Sequence, residues 1–147
     1  MRWFEDVQVG ESYDLGSEIM KETEMDAFAR KYNRSYLHTD SDYMKTTKYR
    51  KIIAPGMYTF SAGWADFIDQ DVFERAEIGG KRTTVEWFRA VYAGDVLTSR
   101  AKIINKEDWN DFLGNVTVEI DSVNQEGKLV VRSINELFVK KRPDFSR

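Results

Sequence analysis

The sequence predicts an α+β fold in which a long antiparallel sheet wraps around one buried helix. Apolar residues recur at helical spacing in the first half of the 147-residue chain, whereas the second half alternates apolar and polar residues with the two-residue period of strands. Segment 52–65 carries no charged residue and is apolar on most of its helical surface, which indicates a buried helix. The length suits one domain, and we expect residues 1–147 to form it.

The first predicted elements are a strand and a helix. The strand lies within residues 10–20, and its apolar residues are Tyr13, Leu15 and Ile19. The helix begins at Thr23, which forms a pattern similar to a capping box with Asp26, and it ends near Asn33. Its apolar stripe, spaced as on one face of a helix, consists of Met25, Phe28, Ala29 and Tyr32.

Two further helices are expected before the strands begin. Asp40 or Ser41 caps a short helix that includes residues 43–44. The buried helix has Pro55 in its first turn, where the missing N–H costs nothing, and it ends near Asp69. One face of this long helix consists of Met57, Phe60, Ser61, Trp64, Ala65 and Ile68.

Four strands are expected after the glycine pair Gly79-Gly80, where the period of the pattern changes from the helical to the strand value. They cover residues 83–90, 96–104, 112–121 and 129–140. Gly94-Asp95 is a turn signal, and the segment 124–127, with the sequence Asn-Gln-Glu-Gly, is typical of a hairpin turn. Long sequential strands after helices indicate an antiparallel sheet.

The composition excludes several classes of function. With no cysteine and one histidine, the chain lacks the ligands of a usual zinc site and has no cysteine nucleophile, and we expect neither a metal nor a cofactor. The net charge of −3 argues against a nucleic-acid partner. The longest uncharged run is too short to span a membrane and the N-terminus lacks the apolar core of a signal peptide, so we expect no membrane partner and a cytoplasmic location. Neither a nucleotide-binding glycine motif nor a serine-hydrolase motif is present.

The candidate chemistry lies between the predicted helices. His38 is the only histidine, and the polar loop around it contains Asn33, Arg34, Ser35, Tyr36, Thr39 and Asp40. A packed or surface imidazole is the alternative for His38, and a helix cap is the alternative for Asp40. Segment 52–57 leads into the long helix, where Gly56 would let a ligand approach the unpaired N–H groups of the helix N-terminus. A simple turn is the alternative for this segment.

A short basic run precedes that segment and consists of Lys45, Lys48, Arg50 and Lys51. These side chains form either a solvated surface or the rim of a phosphate-binding site for a carrier such as coenzyme A. The sequence alone leaves both interpretations open.

Four segments of the chain occur in the order and at the spacing of a known family. They are 3–11 (WFEDVQVGE), 28–40 (FARKYNRSYLHTD), 53–57 (IAPGM) and 91–97 (VYAGDVL). Together they resemble the MaoC-like dehydratase family, which includes (R)-specific enoyl-CoA hydratases. The resemblance implies a hot-dog fold, in which an antiparallel sheet wraps a long helix, and assembly as a homodimer or a higher even oligomer.

The resemblance also implies roles for individual residues. In the family, an aspartate and a histidine five residues apart activate the water that adds to a trans-2-enoyl thioester. His38 stands at the position of that histidine, but Asn33 stands where the family has aspartate, and an amide can orient a water without accepting its proton. Gly56 matches the glycine whose N–H binds the thioester carbonyl. We further expect the substrate to contact Tyr36, Asp40, Pro55 and Met57.

Three functions follow as hypotheses. The first is an enoyl-thioester hydratase, or 3-hydroxyacyl-thioester dehydratase, that acts on a thioester of coenzyme A or of acyl-carrier protein. The second is a non-catalytic acyl-thioester-binding protein or the partner subunit of a hydratase. The third is a hot-dog thioesterase. Such hydrolases often use an acidic residue on the central helix, but here the acidic residues of that helix, Asp66 and Asp69, lie at its far end. The presence of His38 favours the first hypothesis, because a purely structural subunit does not need it.

Overall fold

The computed structural model describes residues 1–144 and contains one five-stranded antiparallel sheet. The strands are β1 (Ser12–Ile19), β2 (Glu77–Trp87), β3 (Val96–Asp108), β4 (Leu113–Val123) and β5 (Leu129–Lys140). Their order across the sheet is β1-β3-β4-β5-β2, so β1 and β2 form its two edges. The helices are α1 (Glu22–Tyr32), α2 (Tyr36–Thr39), α3 (Ser41–Met44) and α4 (Gly56–Asp69), and a short 3-10 helix covers Phe4–Asp6.

The long helix α4 packs on one face of the sheet, as the α+β prediction requires. Its buried residues are Thr59, Gly63 and Phe67, which recur every four positions and therefore share one helical face. Gly63 allows a close approach to the sheet, because a Cβ atom there would lie 3.1 Å from the Ser122 hydroxyl and 3.2 Å from that of Ser99. These two hydroxyls are hydrogen bonded to each other at 2.7 Å.

The main hydrophobic core lies between this face of α4 and the helix-facing side of the sheet. Its strand residues include Leu15, Ala101, Ile103, Val116, Val118, Ile120, Leu137 and Val139. On β4 and β5 these residues occupy alternate positions, so that they point to the same side of the sheet. Burying this apolar surface is the main free-energy gain that holds α4 on the strands.

The helix is less enclosed in the single chain than the sequence predicts. Met57 is 47% exposed and Ile68 is 45% exposed, and both belong to the face that was expected to be buried. The reason is that one chain provides only five strands, which cover a single side of α4. The neighbouring strand β2 has unpaired backbone groups along its outer edge, since it pairs with β5 alone. The single chain thus leaves both an apolar helix face and a strand edge uncovered.

Several element boundaries differ from the sequence predictions. Strand β2 begins at Glu77 and runs through the glycine pair, with irregular pairing on both sides of it, whereas the predicted strand began only at residue 83. The predicted capping box of the first helix is wrong. Helix α1 begins at Glu22 without a side-chain cap, and Asp26 instead pairs with Arg30 at 2.9 Å. The 129–140 strand and the cap formed by Asp40 are confirmed.

Within residues 1–144, no helix combines the length and the apolar character needed to cross a membrane. The same part of the chain holds no group of three or more acidic or histidine side chains that could bind a metal ion.

Candidate active site

Asn33 ends helix α1 and carries the first polar side chain of the candidate site. Its backbone N–H donates to the Ala29 carbonyl at 2.9 Å, and its backbone angles of −153° and 83° leave the helical region, so the chain turns there. The side chain is exposed and forms no hydrogen bond with the part of the protein that the structure describes. Both its carbonyl oxygen and its NH₂ group are therefore available to a water or a ligand.

His38 lies on the single helical turn α2 rather than in a loop, which corrects the sequence prediction. Its side chain is buried, with 8% exposure. The Nδ1 atom is 2.7 Å from the carbonyl oxygen of Ile53. Because a carbonyl only accepts hydrogen bonds, Nδ1 carries the proton of the neutral ring and Nε2 carries the lone pair. This arrangement gives His38 a free basic nitrogen in a fixed orientation.

Backbone hydrogen bonds hold the His38 turn against the segment that leads into α4. The Ile53 N–H donates to the Leu37 carbonyl at 3.2 Å, and the Ala54 N–H donates to the Val91 carbonyl at 2.7 Å. The Ile53 carbonyl accepts from His38 on the same side. The position of the imidazole relative to the start of α4 is therefore set by short local contacts.

The N-terminus of α4 presents two unpaired backbone donors. The Pro55 carbonyl accepts from the N–H groups of Tyr58 at 3.0 Å and Thr59 at 3.2 Å, which closes the first helical turn. The N–H groups of Gly56 and Met57 have no partner among residues 1–144. Free N–H groups at this end of a helix carry the positive part of its dipole, so they can bind an oxygen that acquires negative charge.

The side chains of Asn33 and His38 line the same cavity as Gly56. The cavity has a volume of about 460 Å³, and Met57 also contributes to its wall. The other wall residues include Tyr49, Ile53, Ala54, Thr59 and residues 87–91. Around one space the structure thus brings an imidazole, an amide side chain and two backbone N–H donors, and neither the amide nor the two donors have a partner among residues 1–144.

Sequence reasoning missed Trp87 and Arg89 as wall residues of this cavity. Both were interpreted only as members of an alternating strand. No motif marks them, and the only signal was an aromatic residue beside a charged one at the end of the edge strand. Arg89 forms no ion pair within the described residues, and its guanidinium is exposed.

Three other predicted contact residues do not line the cavity. The Asp40 carboxylate accepts the Tyr43 N–H at 3.0 Å and so caps α3. The Tyr36 ring is exposed and packs edge-on against the Tyr43 ring, with the centroids 4.6 Å apart. Pro55 is fully buried beneath the start of α4. Their expected contacts with a substrate stay predictions.

The basic run contributes to a second cavity of about 430 Å³ on the other side of His38. Lys45, Arg50 and Lys51 line this cavity, together with Arg30. Lys48 does not line it, and its ammonium lies over the Tyr49 ring at 5.2 Å from the centroid. His38 belongs to the walls of both cavities and separates them.

One strongly shifted carboxyl lies outside both cavities, towards the C-terminal end of α4. Partial burial and a hydrogen bond to the Glu18 carboxyl raise the pKa of Asp66 from 3.8 to about 6. A raised carboxyl pKa often marks an active site. Here the group lies ten residues beyond Gly56 along the helix, a separation of about 15 Å, and it does not contact the imidazole cavity.

The sequence matches the MaoC-like domain family over residues 6–124, which is more than half of the chain. The chain belongs to the MaoC-like dehydratase family. This finding confirms the resemblance drawn from the four sequence segments.

Solved structures with the same architecture support the assignment of the fold. A monoamine oxidase regulatory protein from Archaeoglobus fulgidus is 28% identical, with a TM-score of 0.90 over 96% of this chain and 95% of that one. A MaoC-like dehydratase from Rhodospirillum rubrum is 21% identical, with a TM-score of 0.83 over 98% and 100%. The R-hydratase PhaJ1 from Pseudomonas aeruginosa is 24% identical, with a TM-score of 0.77 over 95% and 86%. These likenesses confirm the hot-dog fold.

Proposed function

We propose that the protein is an enoyl-thioester hydratase, or 3-hydroxyacyl-thioester dehydratase, in which His38 is the only group that transfers a proton. The observation that carries the proposal is the single cavity shared by His38, Asn33 and the start of α4. The R-hydratase PhaJ1, a structural neighbour, supports the same reaction class. This neighbour is too distant to assign the activity by itself, so the cavity provides the argument.

In the proposed hydration, a water molecule lies between the Asn33 amide and Nε2 of His38. Nε2 takes a proton from this water while the water oxygen forms a bond to the β-carbon of the enoyl thioester. The hydrogen bond from Nδ1–H to the Ile53 carbonyl, 2.7 Å long, keeps the ring in the required tautomer and stabilises the imidazolium that forms.

The electron pair of the carbon–carbon double bond moves to the thioester carbonyl, whose oxygen becomes enolate-like. The N–H groups of Gly56 and Met57 are the unpaired donors in the cavity wall that can stabilise this oxygen. The enolate then collapses, and the α-carbon receives the proton that His38 holds on Nε2. One water is added across the double bond, and the imidazole returns to its neutral form, so no cofactor is needed.

Asn33 has an orienting role in this scheme. Its side-chain oxygen accepts a hydrogen bond from the water, and its NH₂ group donates one, but neither atom takes up a proton at neutral pH. The exposed side chain has no competing partner within residues 1–144. Removing one general base costs on the order of 10²–10⁴-fold in rate, so the wild-type protein should turn over slowly compared with an enzyme that has both groups.

The thioester carrier we propose is phosphorylated, as in coenzyme A or acyl-carrier protein. The second cavity supports this, because four cationic side chains line it against two carboxylates, those of Glu22 and Asp26. The cationic residues are Arg30, Lys45, Arg50 and Lys51. Arg30 and Lys45 are partly neutralised by Asp26 and Asp42, whereas Arg50 and Lys51 form no ion pair within the described residues. Cationic side chains of this kind bind phosphate through charge-assisted hydrogen bonds.

The proposed assembly is a homodimer that uses the open side of the single chain. A second copy pairing along β2 would satisfy the backbone groups of that edge and would cover Met57 and Ile68. Sedimentation equilibrium at micromolar concentration should give twice the monomer mass of 17.2 kDa. A stable monomer would contradict this part of the proposal, and mixing with a second hydratase subunit would then test the partner-subunit hypothesis.

Product analysis separates the hydratase from its alternatives. The protein is incubated with crotonyl-CoA, and the loss of enoyl-thioester absorbance is followed while the products are identified by chromatography. Formation of 3-hydroxybutyryl-CoA supports the proposal. Release of free CoA supports a thioesterase, and binding of the thioester without turnover supports a non-catalytic protein. Either of the last two results would contradict the hydratase.

A further inference from the structure

An indole side chain contacts the start of α4 from outside the helix. Trp87, the last residue of the edge strand β2, donates a hydrogen bond from Nε1 to the Gly56 carbonyl at 2.9 Å. The hydroxyl of Thr59 donates to the same carbonyl at 2.7 Å. The Gly56 carbonyl is therefore held by two side-chain donors, one of which belongs to a strand 31 residues away.

The indole also explains why position 56 is a glycine. The φ angle of Gly56 is not positive, so its backbone conformation does not demand glycine. A Cβ atom at this position would lie 2.6 Å from two atoms of the Trp87 ring, which is far below any normal contact. The absence of a side chain thus makes room for the indole.

We propose that Trp87 is a positioning residue that fixes the peptide group between Gly56 and Met57, so that the Met57 N–H is aimed at a substrate oxygen in the cavity. The inference rests on the proposed hydratase function and adds a residue to that site. Trp87 acts through the helix backbone rather than on the reacting atoms.

The peptide group is planar, so the orientation of its C=O determines that of its N–H. In a trans peptide the C=O of Gly56 and the N–H of Met57 lie in one plane and point in opposite directions, so holding the carbonyl also fixes the N–H. The helix engages both peptides at its start, since the Pro55 carbonyl accepts from Tyr58 and Thr59. The Gly56 carbonyl is the helical acceptor of the Phe60 N–H. Trp87 supplies the long-range contact for the second peptide. A carbonyl that accepts two hydrogen bonds is also polarised, which makes the N–H of the same peptide a stronger donor.

The first test replaces the indole while keeping an aromatic ring. Trp87→Phe retains a ring above Gly56 but removes the donor to its carbonyl. Losing a direct oxyanion donor costs about 10²–10³-fold in kcat, and losing its positioning should cost less, about tenfold, with KM for crotonyl-CoA changed less than twofold. The matched control is Trp109→Phe, because Trp109 is 50% exposed, compared with 47% for Trp87, and lies outside the cavity. The control should leave kcat and KM unchanged.

A change of KM without a change of kcat would overturn the proposal, since Trp87 would then be only a wall of the cavity. If Trp87→Phe leaves both kcat and KM unchanged, the proposal is also overturned. Restoration of kcat in Trp87→His, whose ring N–H can donate to the same carbonyl, would further support a role of the hydrogen bond.

A second measurement does not depend on hydration. Two-dimensional amide NMR without any thioester should show shifted or broadened signals for Gly56 and Met57 in Trp87→Phe, while Trp109→Phe leaves both signals in place. If the wild type fails to hydrate crotonyl-CoA but these signals move as expected, the proposed function fails and the positioning role of Trp87 stands. Unmoved signals would reject that role even in an active enzyme.

Discussion

The two ends of helix α4 carry different kinds of polar group. The N-terminal end has backbone N–H groups without a partner among residues 1–144, and a carboxyl with a raised pKa lies towards the C-terminal end. At the N-terminal end, Gly56 and Met57, whose N–H groups have no partner among residues 1–144, line a cavity that His38 also lines. Towards the other end, partial burial and a hydrogen bond to Glu18 raise the pKa of Asp66 to about 6. Neither Asp66 nor Glu18 lines the imidazole cavity. The proposed chemistry lies where the cavity meets the N-terminal end of the helix, and the carboxyl whose pKa is raised to about 6 lies outside that cavity.

This difference gives a rule for testing the molecule. Changes around the N-terminal end that keep the hydrogen bond between His38 and the Ile53 carbonyl should alter turnover and leave folding nearly intact, because the other polar groups there are available to ligands. Changes at the Asp66 end should alter stability and leave turnover intact. Each prediction below either supports this division or breaks it.

The largest effect is expected from His38→Asn. The Asn side chain can place an amide N–H close to the position of Nδ1 and keep the hydrogen bond to the Ile53 carbonyl, but it has no equivalent of Nε2. We expect the rate of crotonyl-CoA hydration to fall by on the order of 10²–10⁴-fold. Thermal unfolding should show a Tm within a few degrees of the wild type.

His38→Ala is the comparison variant, since it leaves the Ile53 carbonyl without its donor in a buried place. It should lose both turnover and about 1–3 kcal/mol of stability. Undiminished hydration in His38→Asn would remove His38 from the mechanism. Equal instability of the two variants would show that the hydrogen bond to Ile53 is not what holds the imidazole.

Asn33→Asp should produce a change in the opposite direction. The amide and the carboxylate have nearly the same shape, and the exposed side chain has room for either. The carboxylate would add a second proton acceptor beside His38, and hydration should rise by up to the 10²–10⁴-fold that general acid–base catalysis contributes. The initial rate of loss of enoyl-thioester absorbance measures this.

The matched control is Asn124→Asp, in the β4–β5 hairpin, where the side-chain oxygen accepts backbone N–H groups and a carboxylate can do the same. It should leave the rate unchanged. An unchanged or lower rate in Asn33→Asp would mean that Asn33 is adapted to a different substrate or reaction.

A smaller effect is expected from the cationic cavity beyond His38. Lys51→Ala should raise KM for crotonyl-CoA about two- to fivefold without changing kcat. A change of this size corresponds to the loss of one solvent-exposed ionic contact. Lys48→Ala is its control, because both ammonium groups lie 5.2 Å from a tyrosine ring centroid but only Lys51 lines the cavity. Equal KM values in the two variants would argue for a solvated basic surface and against a phosphate site.

The sequence predicted most of the architecture because its patterns are local. The alternation in 129–140 and the apolar character of 52–65 identified β5 and the position of α4 correctly. The family resemblance likewise singled out Asn33, His38 and Gly56, and all three line one cavity. Neighbouring residues along the chain carried the information for the two elements, and the family resemblance linked the three site residues.

The remaining features depend on contacts between distant residues, which no local pattern encodes. The hydrogen bond from Trp87 to Gly56 joins a strand end to a helix start, and neither sequence neighbourhood indicates it. The uncovered face around Met57 and Ile68 was missed for a related reason. Apolar composition indicates that a surface is buried, but not whether the same chain or another one buries it.

The smallest effect concerns the Asp66 end of α4 and the pH dependence of folding. Burial and the hydrogen bond to Glu18 raise the pKa of Asp66 to about 6, above its ordinary 3.8, so the folded state holds this proton more tightly than the unfolded state does. The corresponding stabilisation is fully present below pH 3.8 and is lost as the pH rises through about 6.

Asp66→Asn cannot ionise and can still donate to Glu18, so it should escape this loss. At pH 8 its Tm should exceed that of the wild type by about 2 °C, a modest value because solvent screens a partly exposed carboxyl, and near pH 4 the difference should vanish. Asp111→Asn, an exposed carboxyl in the β3–β4 loop, is the control for the change in net charge and should show no such pH dependence. Hydration of crotonyl-CoA should be the same in all three proteins. A slower Asp66→Asn would mean that the two ends of α4 are coupled, because a group about 15 Å from Gly56 would then affect the chemistry.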